Sequence, residues 1–266
     1  MNKINIPCAK EHLDIFIDKL QNKIPFSFVR FSDGEIEILR NRYLEINNGK
    51  TVFRGREFTN TFPVFDAKKF DPSFHQNIRK DLLDSALFND ASFFKGIPTL
   101  HNDALKDREF LLRLNGGFNL NMTFSDLFLN SNYINYRNNL VPLFKNYNNI
   151  YVIANFRAKP IKVLGNSKLI EVPDNFFGAY EETLDKVMDQ LQGIEKGSLI
   201  LSSASSLSNI IAYKLFLERQ DITFIDIGTS INDLLSLDNG TREYHGDQSM
   251  IKNFFYKRSK RYNIKW

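Results

Sequence analysis

Short apolar stretches alternate with segments of helical period through the second half of this chain, and few architectures can absorb that pattern. Residues 149–155 (NIYVIAN), 168–172, 198–202 and 223–227 read as strands of five to seven residues, bounded by polar or turn-forming positions. Segments 178–192 and 206–219 read as amphipathic helices, the first with Tyr180, Leu184, Val187, Met188 and Leu191 facing inward. Apolar strands joined by helices pair in parallel and are covered on both sides. The predicted fold class is therefore α/β: a doubly wound, mostly parallel Rossmann-like sheet with helices on both faces.

The first half carries a weaker signal. Residues 9–22 predict a helix, with Leu13, Phe16, Ile17 and Leu20 on one face, and 26–31 predict a strand. Helices are expected over 77–88 and 105–114, and an extended segment over 92–98. Residues 43–72 are polar, lack a helical period and are expected to be irregular. The whole of 1–266 is expected to form a single α/β domain, with 246–266 as a basic, aromatic tail.

In doubly wound sheets, ligands bind beyond the carboxyl ends of the strands, so polar residues at the predicted strand ends are the candidate site. The strand at 26–31 gives out into Arg30-Phe31-Ser32-Asp33-Gly34-Glu35. On a helix, Asp33 and Glu35 would point to nearly opposite sides. In a turning segment that Gly34 permits, both face one ligand. Two hard oxygen donors suit Mg²⁺ or Mn²⁺, with a diphosphate completing the shell, and Arg30 adds a charge-assisted bond to phosphate. The same residues also fit a plain capping box, Ser32-x-x-Glu35, with Asp33 favouring the helix dipole.

Ser202 to Ser206 are five small residues leading from a strand into a helix, so Ser203 and Ser205 suit either a phosphate cradle or tight N-terminal packing. Asp226 and Gly228 end the next strand, where an acid can bond a sugar hydroxyl or simply make a turn. Asn155 with Arg157 offers an amide and a cation at the preceding crevice. Asp233 is a candidate general base or a helix cap. Arg242 and Tyr244 either close over the site or belong to a surface turn.

Composition removes several classes. A single cysteine, Cys8, excludes an internal disulfide framework and a Cys-rich zinc site, and His75, His101 and His245 share no ligand spacing. No stretch has the uninterrupted apolar character of a signal peptide or the ~20 apolar residues of a membrane span. A soluble, cytoplasmic protein is expected. The net charge of +4 is concentrated in Lys252, Lys257, Arg258, Lys260, Arg261 and Lys265; without them the chain is slightly acidic, so nucleic-acid binding is not expected. In 250–266 these cations alternate with Phe254, Phe255, Tyr256, Tyr262 and Trp266. That tail suits peripheral contact with anionic lipid or a terminal helix packed on the body.

Arg30-Phe31-Ser32-Asp33-Gly34-Glu35 resembles the R-[FY]-x-D-G-E segment of bacterial glycosyltransferases of the GT-D fold type, formerly a domain of unknown function. Gly96-Ile97-Pro98, then Thr123 to Phe128 with Asn130, resemble that family's middle region. Val172 to Phe177 with Tyr180, Gly197 to Leu201 with Ile211-Ala212-Tyr213, and Phe224 to Gly228 resemble its later segments, so the likeness spans roughly residues 24–245. The resemblance implies a metal-dependent transferase whose DxE motif, Asp33 and Glu35, serves a divalent cation, Mn²⁺ or Mg²⁺. It implies a nucleotide-sugar donor, typically a UDP-sugar, and a glycan, lipid-linked or glycoprotein acceptor in surface polysaccharide or glycoprotein synthesis. Two departures stand out: Ser203-Ala204-Ser205 where the family often has glycine, and Thr229 to Asp233 where some members carry a histidine. A non-catalytic nucleotide- or glycan-binding module and a metal-dependent phosphoesterase are the competing readings.

Overall fold

A computed structural model describes residues 9–60, 62–98, 102–129, 132–160 and 164–237. The chain runs from α1 (Ala9–Gln21) through β1 (Ser27–Arg30) into α2 (Asp33–Leu39). Four short strands follow: β2 (Leu44–Asn47), β3 (Lys50–Phe53), β4 (Arg56–Phe58) and β5 (Lys68–Phe70). Next come α3 (Gln76–Leu87), β6 (Phe93–Ile97), α4 (Asn102–Leu114) and β7 (Met122–Phe124). Two short helical pieces, α5 (Tyr133–Asn135) and α6 (Val141–Phe144), are joined by a wider π turn over Tyr136–Leu140. The remainder alternates β8 (Ile150–Asn155), β9 (Lys168–Val172), α7 (Tyr180–Gln192), β10 (Leu199–Ser202), α8 (Ser206–Glu218) and β11 (Thr223–Asp226), and closes with 3-10 turns over Gly228–Leu235.

Seven strands pair in the order β7-β6-β1-β11-β10-β8-β9, and every pairing among them is parallel. Their side chains alternate between two cores, as a period of two requires. Phe28, Val152, Leu201 and Ile225 join one core with α1 residues Leu13, Phe16 and Leu20. Val29, Ile153, Ile200 and Phe224 join the other with Leu207, Ile210 and Ile211 of α8 and Leu184 and Val187 of α7. The doubly wound prediction therefore describes the sheet.

Much of the heavy phenylalanine load serves these cores. Phe16 stacks on Phe26 at 4.9 Å between centroids and meets Phe94 edge-on at 5.0 Å, while Phe28 meets Phe128 at 5.3 Å. Such pairs add to the burial of their area.

Residues 43–72 are not irregular. They form a second, antiparallel sheet in the order β4-β3-β2-β5. Two-residue turns set its hairpins: Asn48-Gly49 between paired Asn47 and Lys50, and Arg54-Gly55 between paired Phe53 and Arg56. Arg54 and Gly55 both have positive φ (52° and 72°), the type I′ signature that matches strand twist. Strands of three or four residues leave too little alternation to read, but Asn-Gly was a legible turn signal.

Candidate active site

The strand-end residues meet in one cleft of about 460 Å³. Its floor comes from the carboxyl ends of β1, β8, β9, β10 and β11, where Arg30, Asn155, Val172, Ser203 and Gly228 reach its lining. The small antiparallel sheet and the connection between β4 and β5 supply the facing wall, through Ile46, Phe53, Phe58, Phe62, Phe65 and Lys68. One side is thus polar backbone and small residues, the other largely aromatic, the mixture usual for a small-molecule site.

The small sheet is fastened at both ends. At its tip, Arg54 donates to buried Asp107 of α4, which also accepts from Arg40 at the end of α2, each at 2.5 Å. Near β5, the Asn175 side chain accepts from the Lys69 N–H at 2.7 Å, and the Asn175 N–H donates to the Ala67 carbonyl at 3.1 Å.

Asp33 and Glu35 occupy the first turn of α2, so the local conformation is the capping one, and Gly34 makes no positive-φ turn. The Ser32 N–H donates to Glu35 Oε2 at 3.1 Å. Both carboxylates nevertheless line the cleft: Asp33 is exposed, whereas Glu35 is 7% exposed. Burial pushes the Glu35 carboxyl above its ordinary range; the Lys68 ammonium opposes that shift, while Asp226 and Asp33 add to it. Among the described residues no group of three or more His, Cys, Asp or Glu is arranged to hold a metal. Two carboxylates match the partial protein shell with which Mg²⁺ is commonly held, the rest coming from phosphate and water.

Arg30 and Asp226 form a bidentate pair, Nε to Oδ2 and Nη2 to Oδ1, both at 3.1 Å, with side chains 12% and 4% exposed. Burial raises the Asp226 carboxyl and the Arg30 guanidinium opposes it. Arg30 still lines the cleft, whereas Asp226 lies beneath it. Gly228, at φ +54°, leaves room for the pair: a Cβ there would lie 1.7 Å from Arg30 Nη2. Asn155 is also engaged, donating to Asp174 at 2.7 Å and accepting from the Arg157 N–H at 3.1 Å.

At the turn into α8, Ser203 and Ser205 both line the cleft. Ser205 has φ +53° and ψ −144°, a region that glycine occupies freely and other residues pay for at about 1–3 kcal/mol. The segment Ser203-Ala204-Ser205, noted in the sequence as lacking glycine, thus contains a strained position. Ser205→Gly is expected to raise the melting temperature by a few degrees, from relief of about 1 kcal/mol or more. An unchanged or lower value in a thermal melt would show the strain to be compensated.

Asp233 does not reach the cleft lining: its carboxylate pairs with Arg137 at 3.2 Å. Arg242, Tyr244 and the tail at 246–266 lie outside the described residues. Sequence reasoning missed Lys68 and the aromatic wall, because both depend on the small sheet and on where it docks.

No protein-family model matches the sequence, and no curated protein does. Solved structures do. A chain from Streptococcus sanguinis described as a new glycosyltransferase (DUF1792) is 17% identical, with 85% of this chain and 81% of that chain covered and a TM-score of 0.53. Another, described as the highly conserved domain of unknown function 1792 with a distinct glycosyltransferase fold, is 16% identical over 80% of this chain and 75% of that one, also at 0.53. At these identities the likeness is one of fold, and this chain has the α/β fold of those DUF1792 glycosyltransferase structures.

Proposed function

We propose that this chain is a glycosyltransferase that moves a hexose from a nucleotide-sugar, most simply a UDP-sugar, to an acceptor hydroxyl. The observation that carries the reading is the convergence of Arg30, Asp33, Glu35, Asn155, Ser203, Ser205 and Gly228 on one cleft at the ends of parallel strands. The glycosyltransferase descriptions of the fold's solved neighbours support it.

In this reading Asp33 and Glu35 hold a divalent cation, Mn²⁺ or Mg²⁺. When bound, such an ion neutralises charge on the departing diphosphate. Asp226 fixes the Arg30 guanidinium at the cleft floor, so that it reaches the phosphates without reorganising. The Ser203 and Ser205 hydroxyls, at the start of a 13-residue helix, add donors on the same side. The aromatic wall excludes water and receives the flat faces of base or sugar. Asp233, committed to Arg137, is not assigned as the base. The acceptor is a glycan, lipid-linked or glycoprotein molecule of surface polysaccharide or glycoprotein synthesis, met in the cytoplasm or at the inner face of the membrane. No helix among the described residues is long and apolar enough to cross a membrane.

A thermal-shift screen of nucleoside diphosphates and nucleotide-sugars, each with and without Mn²⁺, tests the reading. A ligand at ~100 times its dissociation constant adds about 2.7 kcal/mol. Stabilisation by UDP or a UDP-sugar is expected, larger with metal. No response to any nucleotide would overturn it.

A further inference from the structure

We propose that Lys68 is a diphosphate-binding residue that lets the cleft hold a nucleoside diphosphate without a metal. This rests on the nucleotide-sugar reading and deepens it. Lys68 lies on β5, paired across the small sheet with Ile46, and both line the cleft. Its Nζ donates to Ser205 Oγ at 3.2 Å. It also lies against the first turn of α2, where a Cβ added to Gly34 would be 3.7 Å from Nζ. The ammonium therefore stands between the two segments that the reading assigns to metal and phosphate.

Three physical arguments converge on an anion. The described cleft lining contains two cations, Lys68 and Arg30, and Arg30 is already held by Asp226 through two bonds. Among the described residues, Lys68 makes a neutral hydroxyl contact with Ser205 and exerts a through-space pull on Glu35 that is outweighed by burial. A cation beside the N-terminus of α8 also sits at the unfavourable end of the helix dipole. A diphosphate entering between Lys68 and α8 would satisfy both, pairing with the ammonium and accepting from the helix. Finally, Ser205 holds its hydroxyl toward Lys68 from a strained backbone, as residues at ligand clamps often do.

Titration calorimetry with UDP on the full chain tests this, in EDTA and in Mn²⁺, for wild type, Lys68→Met and Lys68→Arg. A lost charge-assisted bond corresponds to a weakening of about tenfold or more. Wild type is expected to bind UDP in EDTA, Lys68→Met to lose that tenfold or more, and Lys68→Arg to recover most of it, with apo melting temperatures alike. Equal binding by wild type and Lys68→Met would overturn the proposal. So would binding by wild type only with Mn²⁺, which leaves the transferase reading intact. A Lys68→Met melting temperature that falls, with no recovery in Lys68→Arg, would make Lys68 a tether of the small sheet instead. Absence of UDP binding under both conditions would overturn this proposal and the reading beneath it together.

Discussion

Arg30→Met is expected to lower the melting temperature by about 10 °C at neutral pH. The substitution keeps an apolar stem but leaves the Asp226 carboxylate buried without its bidentate partner. Breaking a buried pair on one side costs about 3–5 kcal/mol, and each kcal/mol moves a chain of this size by a few degrees. The pH dependence has a definite sign. Burial already places the Asp226 carboxyl above its ordinary range, and removing the Arg30 side chain removes the largest influence opposing that shift, leaving the backbone N–H groups of residues 30 and 228. The unpaired group is therefore favoured in its protonated form in the folded protein, and the penalty grows as pH rises above its unfolded value. The deficit against wild type should shrink as the pH is lowered through the raised Asp226 range. Melts from acidic to neutral pH measure it directly. A small deficit, constant with pH, would mean that the pair contributes little.

Glu35→Gln is expected to reduce transfer by about 10²–10³-fold and to erase the Mn²⁺-dependent part of stabilisation by UDP. The amide oxygen can still accept from the Ser32 N–H, so the helix cap survives and the apo melting temperature changes by no more than about 1 kcal/mol would allow. This separates the capping role of Glu35 from the metal-binding role proposed for it. Asp33→Asn, at an exposed position on the same turn, should act in the same direction. Undiminished transfer and an intact metal response in both variants would reduce the carboxylates to a capping box.

Capping geometry and a place in the cleft lining are not rival arrangements. Asp33 and Glu35 are two residues apart on a helix, where ideal geometry points them away from each other. Both still line the cleft, because the site begins at the end of β1 and the cleft wraps around the first turn of α2. Asp226 illustrates the reverse. Its place at a strand end suggested a sugar ligand, yet it lies under the cleft and acts on Arg30, 196 positions away in sequence. No local pattern identifies a partner at that separation.

By itself the sequence determined the parallel sheet, the helices that cover it and the strand ends that line the cleft. These follow from period, and period is a local property: residues two apart share a sheet face and residues three or four apart share a helix face. Only the tertiary structure decided what stands opposite those strand ends. The small sheet is made of strands too short to show alternation, and its place is set by distant contacts, Arg54 and Arg40 on Asp107 and Asn175 on β5. Lys68 and the aromatic wall enter the site only through that docking, which a one-dimensional pattern of hydrophobicity does not encode.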